Sequence, residues 1–122
     1  MKFSEDYAIG TNVIRSFTEN TIDVNSQTYS NSLIVGNNLL IADWGIKHID
    51  ELTPENWQEL VQHKPEVILI GTGKSLTFPH PSSYATAIEL GIGVEFMDSG
   101  ACCRTYNVLV SEDRVVIAGI IL

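Results

Sequence analysis

Four consecutive apolar residues, Val67, Ile68, Leu69 and Ile70, closed by Gly71-Thr72-Gly73, constrain this chain more than any other stretch. Successive side chains of a strand point to opposite faces, so an unbroken apolar run needs cover on both sides of its sheet. The run therefore predicts a central strand. Residues 115–122 have the same character, and GVEFM at 93–97 is a further strand. Helix signals separate these strands. Thr53-Pro54-Glu55 offers an N-cap with proline at the first helical position, and Trp57, Leu60 and Val61 follow at helical spacing up to Lys64-Pro65. Ser82 or Ser83 can cap a second helix with Tyr84, Ala87 and Ile88 on its inner face, stopped by Gly91. Asp98-Ser99-Gly100 offers caps to a third, running from about Ala101 to Ser111.

The first forty residues are of another kind. Residues 13–17 and 21–24 alternate in polarity around Glu19-Asn20, and 31–35 and 39–42 flank Gly36-Asn37-Asn38, so two hairpins are expected. Hairpins first and strand–helix alternation afterwards predict an α/β fold. The expected architecture is a single three-layer domain over residues 1–122, with a mixed central β-sheet, N-terminal β-hairpins and about three helices.

Charge narrows the partners. Seven Lys/Arg against fifteen Asp/Glu leave the chain at −8, a field that repels phosphate backbones, so nucleic acid is not an expected partner. No apolar run reaches the roughly 18–20 residues of a membrane span, so membrane insertion is not expected either. The first ten residues, MKFSEDYAIG, lack the apolar core of a secretory signal and carry Glu5 and Asp6, unlike a transit peptide. Its only cysteines are the neighbours Cys102 and Cys103, which on a helix point about 100° apart and are poorly placed to bridge each other. Reduced thiols and a cytoplasmic location are the expectation.

One short motif resembles a nucleotide site and fails on its spacing. Gly73-Lys74-Ser75 copies the end of a phosphate-binding loop, but the earlier glycine would fall at Ile68, inside the strand, and the residues from Leu76 to Pro81 cannot open a helix. The glycines are better assigned to a tight turn or a close backbone approach. No dinucleotide fingerprint is present, because its third glycine would fall at Leu76. His48, His63 and His80 are scattered and give no metal-ligand spacing, so neither a metal nor a cofactor is expected. Trp44 is assigned to the lid of the core.

The most distinctive segment runs from Met97 to Asn107. At helical spacing Cys102, Tyr106 and Leu109 share one stripe flanked by Cys103 and Val110, and Arg104, Asn107 and Ser111 form an opposite polar stripe. A helix N-terminus carries free N–H groups and a positive partial charge, which can hold an anion or lower a thiol pKa. Small Cys and Ala residues also pack helices against sheets, and Asp98 is a natural cap. Arg104 is expected to be partly buried and to tie the helix to the glycine turn through its rigid fork of donors, a role that lysine could not fill.

The order Trp57, VILIGTG at 67–73, GVEFMDSGACCRTYNVLVSEDR at 93–114 and an apolar final strand resembles the MTH-nine-three-eight-like family, a domain of unknown function, over essentially the whole chain. Its signature is similar to Met97-Asp98 and Cys103-Arg104-Thr105-Tyr106-Asn107, joined to Gly71-Thr72-Gly73. Ser99 stands where threonine is usual and Cys102 where alanine is common. The resemblance implies a three-layer α/β fold with a mixed sheet. It implies no settled reaction, and for a mitochondrial member it implies a scaffold role in assembling respiratory complex I.

Three functions are set against one another. The leading expectation is a non-enzymatic, cytoplasmic binding or assembly module, related through the family to assembly of respiratory-chain complexes. Its site would be Gly71, Thr72, Gly73, Asp98, Ser99, Arg104, Thr105, Tyr106 and Asn107, and its partner a protein or a small anionic ligand. The rival is an enzyme or redox-sensitive protein using Cys103 at a helix N-terminus, with a histidine brought near by folding. Between them lies a small-molecule or anion pocket with Arg104 and the glycine turn as donors.

Overall fold

The computed structural model describes residues 10–122, so the expectation about the N-terminal leader falls largely on residues outside the described ones. The chain begins with a small antiparallel sheet of β1 (Ile14–Phe17), β2 (Ile22–Val24) and β3 (Gln27–Tyr29). There follow β4 (Leu33–Gly36), β5 (Leu39–Ile41), α1 (Pro54–Val61), β6 (Val67–Gly71), α2 (Ala85–Glu89), β7 (Gly93–Met97), α3 (Ser99–Ser111) and β8 (Val116–Ile120). The last five strands form one sheet in the order β5-β4-β8-β6-β7. β4 pairs antiparallel with β5 and β8, and β6 pairs parallel with β7 and β8, so the sheet is mixed and the fold is α/β.

Alternation along the inner strands assigns every side chain to one of two cores. Leu33, Val35, Val67, Leu69, Val116, Ala118 and Ile120 face α3 and the small sheet. Ile34, Ile68, Ile70, Ile117 and Ile121 face α1, α2 and the loop that carries Trp44 and Ile46. Every residue of β6 and of β8 is buried, as their apolar runs require. Trp44 does close one core: its ring lies against β8 so tightly that a Cβ on Gly119 would come within 2.6 Å of it. Thr53 and Asn56 form a reciprocal capping box at α1, with Pro54 at the first helical position.

Several local expectations are corrected. β3 was not foreseen: it extends the first hairpin through a two-residue turn in which Asn25 takes φ 56°. Neither Ser82 nor Ser83 caps the second helix. A 3₁₀ turn at Pro81–Tyr84 precedes it, and the His80 ring accepts the Ser82 N–H there. Ile88, assigned to the inner face, is exposed, and Ala87 alone of α2 is buried. The phase slips because a 3₁₀ turn winds three residues per turn and not 3.6. α3 begins at Ser99, two residues earlier than expected, with Asp98 as its cap.

Candidate functional site

β6, β7 and β8 end at the same edge of the sheet. From β6 the chain crosses to β7 through α2 on one face, and from β7 it returns to β8 through α3 on the other. Connections that leave neighbouring strands toward opposite faces open a crevice at the carboxyl ends, where ligands of α/β sheets bind. A cleft of about 490 Å³ lies there, lined by the 72–75 turn, Thr77, Asp98, Gly100, Lys47, His48 and the chain end at Ile121-Leu122. Phe17 and Glu19 of the first hairpin complete its wall. Thr77 Oγ1 is buried with no hydrogen-bond partner among the described residues.

The turn is built by the residues that the sequence singled out. Gly71 must lack a side chain, since a Cβ there would meet Ser99 Oγ at 2.9 Å and the Ser99 Cα and Cys102 Cβ at 3.0 Å. Gly73 takes φ 101°, which favours glycine. Thr72 is buried; its N–H donates to the Met97 carbonyl at 2.8 Å, its hydroxyl donates to the Ser75 carbonyl at 2.7 Å and accepts the Thr77 N–H. Ser99 locks this turn to the last strand. Its N–H donates to the Gly73 carbonyl, and its hydroxyl accepts the Gly73 N–H at 2.9 Å and donates to the Ile121 carbonyl at 2.5 Å.

Further along α3 the signature serves the small sheet. Tyr106 is fully buried and donates its hydroxyl to the Asn12 carbonyl at 2.8 Å. The Asn107 amide accepts the Ile14 N–H at 3.0 Å and donates to the Ile14 carbonyl at 2.7 Å, closing the outer edge of β1 as another strand would. Thr105 is half-buried. Asp98 accepts the Ala101 N–H at 2.9 Å while lining the cleft.

Arg104 does not behave as expected. It is exposed and, among the described residues, donates no hydrogen bond to the glycine turn; the tie between helix and turn comes from Ser99. The reason lies in the packing of α3, which is covered by the main sheet on one side and by β1 on another, so the polar stripe splits: Asn107 turns inward to β1 and Arg104 remains outside. Arg104 lines a shallow groove of about 270 Å³ between α3 and β1, opposite Arg15 and Ser16. The β1–β2 register slips between Ile14 and Ser16, so Arg15 lies on a bulge, a device that redirects a side chain. Phe17 and Gly100 line both the groove and the cleft, so the two are one surface.

Both cysteines face the core. Burial pushes the Cys103 thiol up from 9.0 to about 12, with Arg104 too weak an opposing influence, and pushes Cys102 well above its ordinary value. A nucleophilic cysteine needs the opposite direction. His48 reaches the cleft, whereas His80 spends its ring on Ser82. Among the described residues no three of His, Cys, Asp and Glu stand close enough to hold a metal ion. Lys47 and His48 lie in a stretch without periodicity that gives no sign of a place in the cleft, and Lys74 and Ser75 belong to the phosphate-loop motif that fails on its spacing. Their one signal was the scarcity of cations in an acidic chain.

Fold and site together define a small mixed-sheet α/β protein with a cleft at its topological switch point. The sequence model of a protein family of unknown function, DUF498/DUF598, matches residues 14–121, and the chain belongs to that family. The Bordetella pertussis protein described as a Mth938-like domain superimposes with a TM-score of 0.82 and 25% identity, over 99% of this chain and 92% of that one. The 13 kDa major membrane protein of Francisella tularensis is 35% identical over 71 residues, 58% of each chain. The Mus musculus NADH dehydrogenase (ubiquinone) 1 alpha subcomplex assembly factor 3 is 29% identical over 83 residues, 66% of this chain and 45% of that protein. The match thus spans about half the length of these curated relatives. Among the described residues, no helix is long and apolar enough to cross a membrane.

Proposed function

We propose that this protein is a non-enzymatic binding or assembly module that receives an anionic segment of a partner protein, or a small anionic ligand, on the joined cleft and groove. One observation carries the proposal. Arg15, Lys47, Lys74 and Arg104, four of seven Lys/Arg, line this surface, against Glu19 and Asp98, two of fifteen Asp/Glu. The cleft itself balances Lys47 and Lys74 against Glu19 and Asp98, and the groove adds Arg15 and Arg104 without a carboxylate; a locally cationic surface on a chain of net charge −8 attracts and orients an acidic group that the rest of the molecule repels. The Lys74–Glu19 pair at 3.3 Å is exposed on both sides, so an incoming carboxylate can displace it at small cost.

Relatives named as assembly factors support the assembly reading, and assembly of a respiratory complex is its specific form. A cytoplasmic location belongs to the proposal, and fractionation of the native host tests it. The experiment for function is charge reversal. Lys74→Glu combined with Arg104→Glu should leave the thermal melt unchanged and remove the proteins that co-purify with the parent from its native host. Retention of the same proteins by the folded double variant would refute the assignment to this surface.

A further inference from the structure

β7 ends the five-stranded sheet, and no strand pairs with its outer side among the described residues. The register shows which backbone groups are left over. The Gly93 N–H donates to the Glu66 carbonyl at 3.1 Å, and the Met97 carbonyl accepts the Thr72 N–H at 2.8 Å. Gly93, Glu95 and Met97 therefore address β6, and Val94 and Phe96 aim their N–H and C=O outward. Two donors and two acceptors stand at ladder spacing. The edge of β1 offers the contrast, since there the Asn107 amide occupies both backbone groups of Ile14.

Side chains add a pattern to this template. Val94 and Phe96 lie on the aromatic face, and the Phe78 ring meets Phe96 edge-on with centroids 5.8 Å apart while remaining 66% exposed. Leu76 is 49% exposed nearby in the same segment. Glu95 points to the opposite face and is exposed.

We propose that this edge accepts an extended segment of a partner polypeptide as a sixth strand, with apolar side chains over the Phe78–Phe96 shelf and a Lys or Arg opposite Glu95. Main-chain bonds to Val94 and Phe96 supply the docking, and alternate side chains supply the choice of sequence. A second copy of this chain is a poor occupant. Antiparallel self-pairing that uses both outward residues sets Val94 against Phe96 of the copy and Glu95 against Glu95, a like-charge pair between chains that each carry −8. The inference uses none of the cleft residues and stands apart from the function proposed for them.

Amide hydrogen exchange on the full chain tests it, with an end-blocked hexapeptide alternating valine and lysine as the probe and its valine–glutamate counterpart as the control. The lysine peptide should slow the Val94 and Phe96 amides at least about tenfold and leave Leu39 to Ile41, on the opposite edge, unchanged. Glu95→Lys should reverse the preference between the two peptides. Val94→Pro removes an N–H that β6 does not use and should abolish binding while keeping the melt; if it fails to fold, the Glu95→Lys comparison decides. Protection at β5 or nowhere, an unaltered preference in Glu95→Lys, or a concentration-dependent dimer that protects Val94 and Phe96 without peptide would overturn the proposal.

Discussion

The two faces of the main sheet are held by different means. On the α3 face, Ser99, Tyr106 and Asn107 each send a side chain to the backbone of a segment distant in sequence, fixing the last strand, the 72–75 turn and β1 relative to one helix. The other face is filled by volume. Trp57, Tyr84 and Phe96 form a mutual aromatic cluster with centroids 5.1 to 6.1 Å apart, and the indole N–H groups of Trp44 and Trp57 are buried without a hydrogen-bond partner among the described residues. Directional bonds specify where elements lie, and area burial supplies bulk stability without direction. This accounts for the polar richness of the α3 segment: most of it builds the frame, and Arg104 and part of Asp98 are left facing outward.

Truncation on the aromatic face should have the largest effect. Trp57→Ala, at a side chain 1% exposed, should cost about 3–5 kcal/mol in urea denaturation. A loss below that of the polar deletions on the opposite face would erase the contrast. Next comes Asn107→Ala, which strips two hydrogen bonds from Ile14 and should cost about 1–3 kcal/mol. Its exchange signature should be local, with the Ile14 amide losing protection before the amides of β6.

The cysteines sharpen the comparison through pH. Their pKa values are raised by burial in the folded chain, so above about pH 9 the unfolded state sheds protons that the folded state keeps, and stability falls as pH rises. For Cys103 the loss at pH 10 should be about 1 kcal/mol, and Cys103→Ala should remove that part of the slope and leave the part due to Cys102. Rapid alkylation of the native protein at neutral pH would show instead that a thiol is open to solvent.

How far the sequence discloses this molecule depends on what each residue's neighbours are. β6, β8 and the cap at Asp98 were legible because an unbroken apolar run and a capping side chain depend on local geometry alone. β3 was not, since Gln27, Thr28 and Tyr29 bury no full side chain and show no alternation. The two-stripe account of α3 placed Cys102 and Tyr106 correctly and misplaced Asn107, because periodicity counts one buried face and this helix has β1 against a second; the second face takes Asn107 and leaves Arg104, expected to be partly buried, exposed. Within the cleft, the glycine turn and Asp98 were legible as a motif. Lys47 and His48 arrive there by tertiary folding, which no local pattern encodes.

The central claim is that the signature divides between frame and surface, with Ser99 on one side of the division and Arg104 on the other. Urea denaturation of Ser99→Ala beside Arg104→Lys tests it most directly. Ser99→Ala leaves the Gly73 N–H and the Ile121 carbonyl without a partner and should lose about 1–3 kcal/mol, whereas Arg104→Lys, at an exposed position, should stay within about 0.5 kcal/mol of the parent. An unchanged midpoint for Ser99→Ala, or a loss in Arg104→Lys equal to that of Ser99→Ala, would contradict the division.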